Sequence, residues 1–272
     1  MMPAAQSAIR LSLAAALGLF AACDPSAAPV PERPAVPFDH DHPQLRAFLQ
    51  QHVRHGMADY AQFKEGNATL DAYLAQVAQV PRAQFEGWTV PQRLAFLLNV
   101  YNASMLRLAA RHYPLDEVTD IGGFGSVFKM PVVELFARKH SLDDVEHGMI
   151  RRQFRSPQVH FALVCGARSC PPLRNEPYTA ATLETQFADQ ARQFLADPKK
   201  NRVDVARKVV HLSPIFKWFS EDFGKSDREI IEFVAPHFSA EAAAALRAGG
   251  FSLQYTDYDW SLNDARAAPR EK

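Results

Sequence analysis

The sequence predicts an α+β fold, in which a single, mostly helical domain is built around a small mixed β-sheet. Apolar residues recur at helical spacing in about eight segments, and about four or five short segments resemble strands. Helices come first along the chain and strands are interspersed later, without the regular βαβ alternation of a parallel sheet. Of the 272 residues, 47% are hydrophobic and 22% are charged, which is typical of a globular protein.

The first residues predict an export signal. Arg10 precedes the apolar run from Leu11 to Ala22, which is too short for a membrane span. The run ends in small residues before Cys23, as a bacterial lipobox does, with Phe20 where leucine is usual. We therefore expect residues 1–22 to be a lipoprotein signal peptide and Cys23 to carry lipid, which would hold the exported protein on the periplasmic face of a bacterial membrane. An ordinary signal peptide with an incidental cysteine is the alternative.

Composition divides the rest of the chain into three parts. Residues 23–37 are rich in proline and alanine, with five prolines, and predict an extended tether. Residues 38–264 have the length and patterning of a single globular domain. The polar residues 265–272 predict a frayed tail.

Three helices are predicted in the first third of the domain, at about residues 43–54, 70–81 and 90–112. The third has the clearest start, because Thr89 is a good cap, Pro91 suits a first turn and Gln92 completes a capping box. Its apolar residues lie nearly all round the helix, which indicates a central, buried position.

Two asparagines lie inside that buried helix. Asn99 and Asn102 are three residues apart and share a flank of the helix. Buried amides need hydrogen-bond partners. The pair either ties down neighbouring backbone or orients a substrate or a catalytic loop, and the sequence leaves both interpretations open.

Neither a cofactor nor nucleic acid is expected as a partner. The cluster Gly122-Gly123-Phe124-Gly125 lacks the strand–GxGxxG–helix setting of a nucleotide-binding loop. Thirty lysines and arginines balance thirty aspartates and glutamates, whereas nucleic-acid binding calls for a basic surplus.

A helix starting at Ser141 is expected to bury a carboxylate. Asp144 stands at the position that completes a capping box with Ser141. Glu146 falls close to the centre of the apolar stripe, with His147 on its flank. Glu146 must therefore meet a partner or hold a proton. It belongs either to a structural ion pair or to a functional site.

Residues 158–165 are apolar and β-branched, and predict a buried strand. At Gly166 the pattern breaks into a loop that holds Arg168, Ser169 and Cys170 and ends in two prolines. A rigid strand that leads into a polar loop is a common support for a functional site.

The cysteines Cys165 and Cys170 allow three interpretations: a disulfide, a thiol nucleophile activated by histidine, or a thiolate metal site. In a regular strand His160 and Cys165 would point to opposite faces, about 16 Å apart along it. A histidine from elsewhere, His147 or His211, is then an equal candidate for a base. CxxC, HExxH and GxSxG patterns are absent from the sequence, and no metal is predicted.

The remaining elements follow from turn and capping signals. Helices are predicted to start at Thr179, at Ser213-Pro214, at Ser226 with Glu229 in the box position, and at Ser239. Strands are predicted at about residues 128–133, 202–205, 208–212 and 251–258.

Several motifs in order resemble the domain of unknown function 547, from about Arg93 to Asn263. They are Phe96-Leu97-Leu98-Asn99-Val100-Tyr101-Asn102-Ala103, Ser141-Leu142-Asp143-Asp144-Val145-Glu146-His147, His160-Phe161-Ala162-Leu163-Val164-Cys165, Ser169-Cys170-Pro171-Pro172-Leu173, Ser213-Pro214-Ile215-Phe216-Lys217-Trp218-Phe219 and Tyr258-Asp259-Trp260-Ser261-Leu262-Asn263. The resemblance implies a family that is widespread in bacteria, often exported and also found in plants, with no settled reaction. It points to Asn99, Asn102, Glu146, His160, Cys165 and Cys170 as motif residues.

Two functional hypotheses follow. The first is a thiol-dependent hydrolase or transferase of the cell envelope, with Cys170 or Cys165 as nucleophile and His160 or His147 as base. Its other groups would be Glu146 as orienting acid and Asn99, Asn102, Tyr101, Arg168 and Ser169 as binding or oxyanion donors. The second is a non-catalytic envelope lipoprotein that binds a ligand or partner, with the cysteines bridged or structural. Under either hypothesis, Asn99, Asn102, Glu146, His160 and the 165–170 loop are expected to converge, because polar groups of a shared core must pair.

Overall fold

The computed structural model describes residues 37–123 and 126–266. These residues belong to one compact unit. The expected signal peptide, Cys23, nearly all of the tether and most of the tail lie outside them. Within the described ranges, no helix is long and apolar enough to cross a membrane.

The first part of the domain is helical and is organised around one long helix. This helix, α4 (Val90–His112), begins after Thr89, whose capping box with Gln92 is formed as predicted. Nearly every residue of α4 from Leu94 to Ala110 is buried, which confirms its central position. The helices here are α1 Pro43–His52, α2 Ala68–Ala78, α3 Arg82–Glu86 and α4 Val90–His112.

The next helix, α5, is π-helical over Asp144–Arg151 and α-helical over Arg152–Phe154. Its start is stabilised as predicted, since the N–H of Ser141 donates to Asp144 and the N–H of Asp144 donates to the Ser141 hydroxyl. The wider π-turns often occur at functional positions. They carry Val145, Glu146 and Ile150 into the core.

The second part contains shorter elements. The helices are α6 Leu183–Leu195, α7 Ile215–Trp218, α8 Ser220–Phe223, α9 Asp227–Val234 and α10 Ala240–Ala248. Side-chain caps from Ser226 and Ser239 start α9 and α10, as the sequence predicted.

Small sheets complete the fold. Strands β1 Val53–Arg54 and β2 Met57–Ala58 form one hairpin, and β3 Val133–Leu135 and β4 Arg138–His140 form another. Strands β5 Arg202–Asp204, β6 Val209–Leu212 and β7 Ser252–Tyr255 make a three-stranded sheet in that order. Since β5 pairs with β6 antiparallel and β6 with β7 parallel, the sheet is mixed and the predicted α+β class is confirmed.

Two hydrophobic clusters make up the core. One surrounds α4, and the other joins α6 to α10 with the three-stranded sheet. The chain passes from one to the other within a few residues, because Phe161 packs in the second cluster whereas Ala162 and Leu163 pack in the first.

The predicted strand at residues 158–165 is wrong, and this segment begins with the 3₁₀ helix Pro157–Phe161. The N–H groups of Val159 and Ala162 bond to carbonyls three residues earlier instead of to a neighbouring strand. The segment is apolar because it lies between the two clusters, and such burial looks the same in sequence as a central strand.

The bounds of other elements also differ from the expectation, and two of them differ for a visible reason. Residues 127–129 form a 3₁₀ turn, so that the strand predicted at 128–133 is confined to Val133–Leu135. The helix expected to start at Thr179 begins at Leu183, because the Thr179 and Thr182 hydroxyls bond to each other in the turn before it.

Candidate functional site

A cavity of about 150 Å³ lies between α4, α5, α7, the 165–170 loop and the segment around Tyr258. Six of the residues predicted from the sequence line it: Tyr101, Glu146, His147, His160, Cys165 and Cys170. Most of the other lining residues are apolar or aromatic: Phe128, Leu163, Ile215, Trp218, Phe219, Tyr258 and Trp260. Of the groups expected to converge, Glu146, His160 and the two cysteines therefore line one cavity.

The two asparagines do not line the cavity. Each of them instead binds the backbone of another segment through its side-chain amide. The Asn102 side-chain amide donates to the Ala162 carbonyl at 2.9 Å, and its oxygen accepts the Val164 N–H at 2.9 Å. Asn99 holds the N–H and carbonyl of Tyr178 in the same two-sided way, at 2.9 and 2.8 Å. Asn102 thus fixes the backbone between His160 and Cys165. Its side chain makes the hydrogen bonds that a neighbouring strand would make in a β-sheet.

Cys165 and Cys170 are joined in a disulfide, with their Cα atoms 6.3 Å apart. In this state neither sulfur is a thiol nucleophile or a thiolate ligand. The N–H of Cys165 donates to the Cys170 sulfur at 3.0 Å, and the Tyr258 hydroxyl lies 3.2 Å from both sulfurs. Among the described residues, no group of three or more His, Cys, Asp or Glu side chains could hold a metal ion.

Glu146 is only 9% exposed, which confirms that α5 directs it inward. Burial raises the pKa of its carboxyl to about 7, while a hydrogen bond from Tyr101 and the charge of Arg151 oppose this rise. The carboxyl can therefore gain or lose a proton near neutral pH, as groups that move protons in binding or catalysis do.

His160 is held by a carboxylate that sequence reasoning missed. Its Nε2 lies 2.6 Å from Asp222 Oδ2, and Arg151 Nε donates to the same oxygen at 2.6 Å. The imidazole also stacks on the Phe219 ring, with the two ring centroids 4.1 Å apart. Burial lowers the pKa of His160 to about 4 against the opposing effect of Asp222, so that the ring is neutral at pH 7 with its proton on Nε2.

The other two candidate histidines are less suited to act as a base. His147 lies at the rim of the cavity, with a side chain 45% exposed. Its Nδ1 accepts a hydrogen bond from Arg151 at 3.1 Å, which occupies that nitrogen. His211 is on β6 and does not line the cavity.

An aromatic wall next to the disulfide was also not assigned a role from the sequence. Tyr258 packs against both Trp218 and Trp260, with ring centroids 4.8 and 4.6 Å away, and the two tryptophan rings stack on each other at 5.8 Å. Trp218 is 48% exposed and forms the mouth of the cavity. The motif containing Tyr258 and Trp260 could be recognised in the sequence. Aromatic residues are usually core residues, however, so that their presence alone does not indicate a functional site.

Arg168 and Ser169 lie on the opposite side of the loop, in a wider groove of about 1470 Å³ that Cys170 also lines. Arg168 donates to the Asp264 carbonyl at 3.3 Å, and the Ser169 hydroxyl accepts the Asp259 N–H at 2.8 Å. These bonds attach the loop to the C-terminal segment. The two residues are therefore not brought to the cavity with Glu146 and His160.

The fold and the cavity define an α+β domain with a disulfide-walled pocket. Residues 85–195 match the family model described as "Protein of unknown function, DUF547". This match supports the resemblance to the DUF547 family. It spans α4, α5 and the 165–170 loop, which supply most of the predicted site residues. Neither the curated proteins nor the solved structures contain a match to this chain.

Proposed function

We propose that this protein is an exported, lipid-anchored protein of the cell envelope that binds a small, largely apolar ligand in the cavity. The observation that carries the proposal is the lining, in which aromatic and aliphatic walls surround a few polar groups. Ligand sites in proteins have this composition. The disulfide then acts as one wall of the site.

The size of the cavity limits what can enter. Its volume of about 150 Å³ is below the roughly 300–1,000 Å³ of common ligand pockets. It therefore suits one end group of a ligand, whose remainder would pass over the half-exposed Trp218. Glu146 supplies a hydrogen-bond donor or acceptor at the buried end, depending on its protonation.

Binding is tested with four benzene-ring probes of similar size: benzyl alcohol, benzamide, benzylamine and benzoate. We expect at least one to bind with a Kd of about 1 mM or tighter, measured by ligand-observed NMR. Trp218→Ala should weaken this binding about tenfold, because it removes an aromatic wall. Val205→Ala, which changes an exposed apolar residue outside the cavity, is the control. If no probe binds, or if Trp218→Ala leaves binding unchanged, the cavity is not a ligand site.

A second candidate is the thiol-dependent hydrolase or transferase. The observation in its favour is that Cys165 shares the cavity with Glu146 and with His160, which Asp222 orients. This activity requires the disulfide to be reduced first. Reduced protein should then hydrolyse p-nitrophenyl acetate faster than the Cys165→Ser/Cys170→Ser variant does. Equal rates would leave ligand binding as the function.

The membrane anchor rests on the sequence before Cys23. We expect the mature protein to begin at Cys23 and to carry lipid on its sulfur. Mass spectrometry of the protein purified from bacterial membranes measures both. A mature chain that is cut elsewhere and carries no acyl group would contradict the anchor.

A further inference from the structure

We propose that the Cys165–Cys170 disulfide is an exchange site for a small organic thiol, which enters the cavity and attacks the Cys165 sulfur. This activity goes beyond ligand binding, because the cavity has to admit the thiol but does not have to retain it. The two sulfurs are unequal in exposure, since Cys165 is partly exposed whereas Cys170 is 4% exposed. Because access decides which sulfur of a disulfide is attacked, the thiol should join Cys165.

The groups around Cys170 suit a leaving thiolate. The Cys165 N–H already donates to the Cys170 sulfur at 3.0 Å, and the Tyr258 hydroxyl is 3.2 Å away. Burial keeps the Tyr258 phenol protonated by raising its pKa, so that it remains a donor. Lys200 donates to the Cys170 carbonyl at 2.8 Å, although Asp197 at 3.5 Å partly neutralises its charge. Donors placed at the leaving sulfur favour exchange.

Glu146 lies in the same cavity and can take up the proton of the incoming thiol. In the first step the thiol RSH gives its proton to the Glu146 carboxylate, and RS⁻ bonds to Cys165. The Cys165–Cys170 bond breaks, and its electron pair stays on Cys170. In the second step another RSH gives its proton to the Cys170 thiolate, and its RS⁻ attacks the R sulfur of the mixed disulfide. This forms RSSR and releases Cys165 as a thiolate, which takes the proton back from Glu146. The two small thiols thus lose two electrons in forming RSSR, and the protein disulfide gains these electrons to give two reduced cysteines.

The test uses the full mature protein under native conditions with 2-mercaptoethanol as the thiol. The reaction is stopped with acid, free thiols are blocked with N-ethylmaleimide, and each cysteine is mapped by mass spectrometry. We expect the mixed disulfide on Cys165, the maleimide on Cys170, and a rate faster than global unfolding under the same conditions. A mixed disulfide on Cys170, or reduction no faster than unfolding, would overturn the proposal.

A pair of tyrosine variants tests the donor to the leaving sulfur. Tyr258→Phe should slow the first step about tenfold, because it removes a hydrogen bond to a developing charge. Tyr255→Phe is the matched control, since this half-buried tyrosine of β7 lies outside the cavity, and its rate should not change. Equal rates in the two variants would contradict the role of Tyr258. The wild-type cysteine map decides the main proposal even if Tyr258→Phe does not fold.

Discussion

Replacing Asn102 with alanine should lower the free energy of unfolding by about 3–5 kcal/mol, which is the largest stability effect among the variants proposed. The side chain satisfies the Ala162 carbonyl and the Val164 N–H, both in the interior. Its removal leaves two buried backbone groups without partners, at about 1–3 kcal/mol each, and opens a small cavity. The segment that carries His160 and Cys165 would lose its anchor to α4.

Denaturant unfolding followed by circular dichroism measures this effect. Gln193→Ala is the control, because that amide lies on the exposed side of α6, where it bonds to the neighbouring Asp189. Its cost should be below about 0.5 kcal/mol. A loss of less than about 1 kcal/mol in Asn102→Ala would show that the segment is held in place by other contacts.

The second large effect concerns Glu146 and pH. Folding raises the pKa of its carboxyl from 4.5 to about 7. Between these two pH values the carboxyl is therefore mostly protonated in the folded state and mostly ionised in the unfolded state. Its contribution to stability therefore decreases as the pH rises from about 4.5 to 7. Above pH 7 the buried charge costs the wild type about 2–4 kcal/mol.

Glu146→Gln removes this titration. We expect the variant to gain stability relative to the wild type as the pH rises from about 4.5 to 7, by about 2–4 kcal/mol in total. Unfolding curves at several pH values measure the difference, in which the titration of His160 and other groups cancels. Glu134→Gln, at an exposed position on β3, is the control. A pH-independent difference between Glu146→Gln and the wild type would show that the carboxyl is not in a desolvated site.

Local signals in the sequence predicted much of the fold. Capping pairs such as Thr89 with Gln92 and Ser141 with Asp144 are motifs of four consecutive residues that mark helix starts, and both pairs are formed. Periodicity also showed that α4 is central and that Glu146 points inward. It failed at residues 158–165, because a segment buried on all sides has the same apolar pattern whether it is a strand or a short helix.

The parts of the site that were missed depend on contacts between distant residues. Asp222 is 62 residues from His160, and no spacing rule connects an acid on α8 with an imidazole before the cysteine loop. The bond between Cys165 and Cys170 was one of three interpretations, because separation alone does not set the approach of two side chains. Tyr258 reaches both sulfurs from the C-terminal end of the domain, where only the folded chain reveals the contact.

A cysteine map of the folded protein, purified without reductant, decides whether the cavity is a binding site walled by a disulfide or an active centre with a free thiol. The protein is treated with N-ethylmaleimide under native conditions and then under denaturing conditions, and its peptides are identified by mass spectrometry. We predict a peptide pair linked through Cys165 and Cys170 and no maleimide on either residue. Maleimide on Cys165 and Cys170 in the native protein would contradict the disulfide wall and would favour the thiol-dependent enzyme.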